Sequence, residues 1–348
     1  MAKNIQKPTV RAIAEACGVS RTAVSWALNG KPGVSDAVRR KILKVAASCN
    51  YKLDPKIAQV MSGIARGGAG EALTQIAIVG AEELDEAPPC AGNGLLNRFC
   101  LGFERRIKEL GVGLNAFWLG EKGMNQQRLE DILKARGVEG VVFLFNYGSE
   151  QPDFKFNISD YSVASICNFV KSAKIDAADV DIHNCMCIAM EKAKEYGYKR
   201  PGLAVKNTTA ERGNHTWESA FLYEQRVFLK KNRVPIFWSE AEEMTGMLEW
   251  YERHQPDVII GHEPPSLSYL RREGIRVPED VGYIALEEHD PDWNLSCVNI
   301  HPRMIGSAAV DLVLERIRDG IKGEPEIPKT VLIDGHWVDG ETLRRKKA

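Results

Sequence analysis

The sequence predicts an all-α head built on a helix-turn-helix, followed by an α/β body of two doubly wound parallel-sheet lobes. Two observations carry this. Residues 9–30 set two short helical stripes on either side of a tight turn at Cys17-Gly18-Val19-Ser20. From residue 75 onward, apolar runs of strand length alternate with amphipathic helical stretches. Such repeated βα units form a parallel sheet covered by helices on both faces. A chain of 348 residues exceeds one ordinary core and suits two or three domains.

In the head, Val10, Ile13, Ala14 and Cys17 form one stripe, and Ala23, Val24, Ala27 and Leu28 a second. Between them Gly18 can take the left-handed backbone that ends a helix, and the Ser20 hydroxyl can cap the next. Asn29-Gly30-Lys31-Pro32-Gly33 breaks the chain. Val34-Ser35-Asp36 then caps a third helix with Val38, Ile42, Val45 and Ala46 at helical spacing. Asp54 and Pro55 suit the N-cap and first turn of a short helix over 56–66. Gly67-Gly68-Ala69-Gly70 makes a flexible joint.

In the body, strands are expected at 75–80, 114–119, 140–145, 161–167, 202–205, 234–238, 257–261 and 282–286. Helices are expected at 102–110, 125–135, 184–196, 217–232 and 304–319. Roughly ten strands divide naturally between two lobes. Ligands in such folds bind at the carboxyl ends of the strands, in the crevice between lobes.

The net charge of −1 conceals a split. Residues 1–62 hold eleven Lys and Arg against three acids, a net of +8, and the remainder carries −9. A basic helix-turn-helix head on an acidic body is the pattern of a modular DNA binder, because phosphate neutralisation supplies sequence-independent affinity. Apolar residues make up 44% and charged residues 27%, ordinary for a soluble globular protein. No apolar run reaches a membrane span and the first residues lack a secretory core, so the expected location is the cytoplasm, at the nucleoid. The eight cysteines are scattered without zinc-ligand spacing. They read as buried thiols, with no metal or cofactor expected. There is no Gly-x-Ser-x-Gly elbow and no phosphate loop. The run Glu287-Glu288-His289-Asp290 could suggest an acid/base or metal site, but adjacent side chains point different ways. No enzyme is expected. A free binding protein of the transport type is the other class open to such a body, and the basic head argues against it.

The chain resembles the lactose/galactose-repressor (LacI/GalR) family of bacterial transcription regulators. The resemblance begins at Thr9-Val10-Arg11-Ala12-Ile13-Ala14 and the turn at 16–20. It continues through Ala23-Val24-Ser25, Leu28-Asn29-Gly30, Val34-Ser35, Arg39 and Asn50-Tyr51. In the body it rests on Arg276-Val277-Pro278-Glu279-Asp280-Val281-Gly282, on Ile305-Gly306 with Ala308-Ala309-Val310, and on the segment 335–342. The resemblance implies a helix-turn-helix domain over 1–53, a hinge helix and linker over 54–72, and a periplasmic-binding-protein-like effector and dimerisation domain over 73–348. It implies a homodimer on a near-palindromic double-stranded operator. It further implies a repressor of carbohydrate-use genes whose operator affinity is set allosterically by a small-molecule ligand, a sugar, in the cleft. The basic tail 343–347 is short for a DNA arm and lacks leucine heptads, which fits a dimer.

By family position, Arg21 and Thr22 open the recognition helix and reach base edges. Arg21 suits a guanine fork or a phosphate contact. Thr9, Ser20 and Ser25 suit phosphates, and Asn29 a backbone contact. Trp26 stands where the family usually has Arg, and its indole suits a thymine methyl or the sugar–phosphate wall; a core role is the other reading, though Ala23 and Ala27 already flank it on a small-residue face. Met61-Ser62 falls where the family has a Leu-Ala pair, after a one-residue insertion at 53–54. Met61 is the candidate minor-groove wedge and Ala58 its neighbour. Effector candidates are strand-end residues: Glu82, Asn168, Arg212, Trp217, His262, Glu263, Glu287 and His301. Trp217 could stack on a sugar, and acids or Arg212 could grip hydroxyls; an exposed loop charge is the plainer reading of each. His262-Glu263 and Glu287 depart from the family's usual Asn-Asp and Asp.

Overall fold

The computed structural model describes residues 10–20, 23–24, 27, 33–48, 74–80, 94–144, 156–167, 173–229, 231, 233–240, 244–262, 265–287 and 293–346. The chain divides into two compact units, Met1–Leu73 and Thr74–Ala348.

In the first unit, α1 (Val10–Cys17) and α2 (Asp36–Ser48) pack through Ile13, Ala14, Cys17, Ile42 and Ala46, with Val24 and Ala27 in the same core. These are the apolar positions of the helical stripes. Gly18 has φ 68° and turns the chain. The Val19 N–H donates to the Ala14 carbonyl at 3.0 Å, closing α1. Ser20 Oγ then accepts the Ala23 N–H at 3.1 Å, and the Ser20 carbonyl accepts the Val24 N–H. The turn therefore works as the residue types require: glycine ends one helix and serine starts the next. Lys41 Nζ reaches back from α2 to the Cys17 carbonyl at 3.0 Å, favourable at a helix C-terminus.

The second unit holds two six-stranded sheets. The first sheet orders β11 (Thr330–Ile333), β5 (Asp176–Val180), β4 (Ser162–Ile166), β3 (Val138–Leu144), β1 (Gln75–Gly80) and β2 (Gly113–Trp118), all parallel. The second orders β12 (His336–Val338), β10 (Cys297–Asn299), β9 (Gly282–Ala285), β8 (Val258–Gly261), β6 (Pro201–Lys206) and β7 (Phe237–Ser239). Here only the edge pair β12–β10 is antiparallel. Each sheet has apolar clusters on both faces, as a parallel sheet requires.

On the first lobe, α3 (Leu95–Leu110) and the long α10 (Pro302–Asp319) cover one face and α4 (Gln126–Ala135) the other. Gly102 and Gly306 let α3 and α10 touch backbone to backbone, for a Cβ on either would collide with a carbonyl of the facing helix. On the second lobe, α5 (Ile182–Glu195) and α7 (Thr216–Phe228) pack with α6 (Asn207–Arg212) nearby, while α8 (Met247–His254) and α9 (Pro265–Arg272) serve the opposite face.

The expected strand count was low: twelve strands occur among the described residues. β5, β10 and β11 had gone unread, and β12 lies in the segment 335–342 on which the resemblance rests. β5 is Asp-Ala-Ala-Asp-Val, too polar to resemble a buried strand. It is buried because Arg316 of α10 meets Asp176 at 3.1 Å, both side chains only 4% exposed. β11 is an exposed edge strand. α3 begins at Leu95 rather than 102, since Phe99 and Cys100 already belong to the core.

Three segments pass between the lobes: 180–182 from β5 to α5, 300–302 from β10 to α10, and 334–335 from β11 to β12. They lie together. The Asp181 N–H donates to the Ile333 carbonyl at 2.9 Å. Gly335 packs so closely on Cys185 and Val298 that a Cβ would overlap both.

Candidate functional site

Strand ends from both sheets converge on one cavity of about 220 Å³. The first lobe contributes Phe99 from α3, Cys167 after β4, Asp179 and Val180 from β5, and Ile305 from α10. The second contributes Lys206 at the end of β6, Thr209, Trp217, His262 after β8, and Leu286 with Glu287 after β9. These are carboxyl ends of parallel strands, where the fold's own geometry opens a crevice. The volume suits a small ligand.

The walls mix apolar surface with a few polar groups. Cys167 takes φ 61° as its strand ends. Burial pushes its thiol well up, helped by the charge and hydrogen bond of Asp179 and then by the charge of Glu287. A protonated thiol here is wall, not nucleophile. Trp217 is 4% exposed and meets the half-buried His262 ring edge-on, centroids 5.1 Å apart at 82°. The Trp217 ring thus packs in the lobe's core while it lines the cavity.

Of the sequence candidates, Trp217, His262 and Glu287 come together in this cavity. His301 does not line it. It takes φ 52° at the second crossover, where its N–H donates to Asn299 Oδ1 at 2.7 Å. Arg212 ends α6 beside Gly213, a lining residue, and its side chain lies outside the described residues. Glu82, Asn168 and Glu263 also lie outside them. Sequence reasoning missed Asp179, Lys206, Thr209 and the Cys167 wall. Lys206 directly follows a strand read from sequence, so the strand-end rule would have found it. Asp179 lay in the unread β5.

In the head, Ser20 is exposed and its oxygen caps the second helix, which leaves the hydroxyl proton to donate outward. Arg40, Lys41 and Lys44 of α2 are exposed. Thr9, Arg21, Thr22, Ser25, Trp26, Asn29, Ala58 and Met61 lie outside the described residues. Among the described residues, no cluster of His, Cys, Asp and Glu could hold a metal, and no helix is long and apolar enough to cross a membrane. The basic tail is engaged within the body. Arg345 lies over the Tyr196 ring and pairs with Glu195, and Lys346 lies over the Tyr198 ring.

Residues 9–54 match the family model "Bacterial regulatory proteins, lacI family", and residues 191–343 match "Periplasmic binding protein-like domain". The HTH-type transcriptional regulator KdgR of Bacillus subtilis (strain 168) is 21% identical over 343 residues, covering 91% of this chain and 93% of that protein. A solved structure of a transcriptional regulator CelR–cellobiose complex superposes with a TM-score of 0.56 at 18% identity, over 97% of this chain and all of that one. The lac repressor dimer bound to operator and the anti-inducer ONPF gives 0.55 at 15% identity, over 97% and 99%. A lacI-type helix-turn-helix head followed by a two-lobed periplasmic-binding-protein-like body places the chain in the LacI/GalR family of DNA-binding transcriptional regulators, a family of regulators rather than enzymes.

Proposed function

We propose that the chain is a repressor of carbohydrate-use genes, acting in the cytoplasm as a homodimer on a near-palindromic operator, with a sugar in the interlobe cleft setting operator affinity. The observation that carries this reading is the cavity built from strand ends of both sheets beside three clustered crossovers. A ligand touching both walls favours one lobe angle over another, and that difference in affinity is what shifts an equilibrium. The CelR structure named above holds cellobiose and the lac repressor one holds operator, which supports the two ligand classes. Exposed Leu222, Tyr223 and Val227 on α7, with Trp238 on the edge strand β7, supply apolar surface for a second copy.

In this reading residues 1–53 bind the major groove, 54–72 form the hinge and 73–348 sense the ligand and dimerise. Arg21, Thr22 and Trp26 face bases. Thr9, Ser20, Ser25 and Asn29 face the backbone, and Met61 with Ala58 meets the minor groove. Trp217, His262 and Glu287, with Asp179, Lys206 and Thr209, form the described part of the effector wall. Glu82, Asn168, Arg212 and Glu263 are further candidates.

The test is operator selection from a random duplex library with the full-length protein, followed by anisotropy titration of the selected site against a sugar panel. A near-palindromic consensus whose affinity changes at least fivefold with one sugar is expected. An asymmetric site, or affinity indifferent to every sugar, sinks the proposal.

A further inference from the structure

The lining of the cavity is graded. Lys206 on β6, His262 after β8 and Glu287 after β9 bring polar side chains at strand ends. Where the crossovers meet the cavity, the described lining side chains are apolar. Val180 and Ile182 come from the first crossover and Ile300 from the second. All three pack on one apolar cluster of the second lobe. Val180 also packs on the core of the first lobe, which holds Phe99 and Ile305.

The polar residue of each crossover is engaged elsewhere. Asp181 stands between Val180 and Ile182, and its Oδ1 accepts the Asn184 N–H at 2.9 Å to cap α5. His301 follows Ile300 and stacks on His336. Neither lines the cavity. Asp179 precedes this apolar wall, and its Oδ1 accepts the Val180 N–H at 2.8 Å. A ligand hydroxyl pressed against Val180, Ile182 and Ile300 gives up water and meets no side-chain partner among them. A methyl or methylene gains from the same contact.

We infer that the effector presents a carbon-only end to the wall of Val180, Ile182 and Ile300. That end is either the deoxy carbon of a sugar or the aglycone of a glycoside. This rests on the cleft being a sugar site. The hydroxyls of the ligand face the strand-end polar groups. Because the wall belongs to two of the three crossovers, the carbon-only end is the part of the ligand that bears on the angle between the lobes.

The experiment is calorimetry of the full-length protein with matched probes. One arm sets the 6-deoxy forms of glucose, galactose and mannose against their parents. The other sets methyl, isopropyl and phenyl glycosides of these sugars against the free sugars. The tightest probe is expected to carry the carbon-only end and to bind at least tenfold tighter than its hydroxylated match; the arm in which it falls names the source. Val180→Thr keeps the shape of the side chain and adds a hydroxyl to the wall, so it should shrink that ratio at least threefold. A hydroxylated parent that binds as tightly as its match in both arms overturns the inference, as does a folded Val180→Thr protein with an unchanged ratio. The matched pairs on the unmodified protein decide the matter if the variant fails to fold. No response to any probe overturns the sugar-sensor reading itself.

Discussion

His301 and His336 stack with ring centroids 4.5 Å apart and share a hydrogen bond of 2.8 Å between Nε2 of the first and Nδ1 of the second. The pair joins the second crossover to the strand that follows the third. One nitrogen must donate and the other accept, so two fully protonated rings cannot keep the bond.

His336→Ala is expected to remove that tie at a stability loss of no more than about 1 kcal/mol, because the site is exposed. Its larger effect should fall on the ratio of operator affinities with and without effector, which should shrink at least threefold. Anisotropy titrations with the sugar that the panel identifies measure this, and an unchanged ratio would mean the pair is decorative.

The Arg316–Asp176 pair is almost fully buried, and Arg316 also donates to the Gly323 carbonyl at 2.5 Å. Arg316→Met alone should destabilise the body by about 3–5 kcal/mol, since it strands a carboxylate inside. Adding Asp176→Leu should recover much of that loss. Recovery stays incomplete because the Lys329 N–H, now held by Asp176 at 2.9 Å, loses its acceptor. Urea melts of the single and double variants check the order; a double variant no better than the single would contradict it.

Arg276 grips Asp280 with two guanidinium bonds, at 2.6 and 3.0 Å, and its own backbone N–H adds a third. These hold the carboxyl at about 2, below its ordinary 3.8. A depressed acid contributes its stabilisation above the ordinary value and loses it as pH falls from about 4 towards about 2. Carboxyl-carbon NMR titration should give Asp280 a midpoint near 2, and Arg276→Ala should return it towards 3.8. A normal midpoint in the parent protein would refute the clamp. The site is exposed, so the expected effect on global stability is small.

Trp26→Arg tests the head. If the indole meets bases, operator selection with the variant should yield a different consensus, with discrimination at one position changed by about 1–3 kcal/mol. The same consensus at altered affinity would place Trp26 against the backbone.

The head was legible because its residues do local work: Gly18 turns, Ser20 caps, and the helical stripes become one core. The alternation of the body was legible for the same reason. β5 was not, because its burial depends on Arg316, 140 residues away in sequence. Asp179 vanished with it, and one lining residue of the cavity went unseen. Trp217 shows the converse limit. An aromatic at the start of a helix invites a stacking role, and in the structure its ring also meets His262 at 82°, a contact that periodicity could not foresee. Periodicity reports which side of an element is buried, and says nothing of what a long-range neighbour makes possible there.

The first lobe is discontinuous, and this sets an order of events at the ribosome. Its strands run from residue 75 to 180, yet Ile305, Ala309, Val310 and Val313 of α10 fill its core, and β11 completes its edge. Domains fold as their sequences emerge. The DNA-binding head is therefore available first, while the lobe that follows it must wait, apolar face uncovered, for nearly the whole chain. Nascent chains stalled between residues 180 and 300 are therefore expected to aggregate, and loss of the last fifty residues removes α10 and β11 from the first lobe as well as β12 from the second.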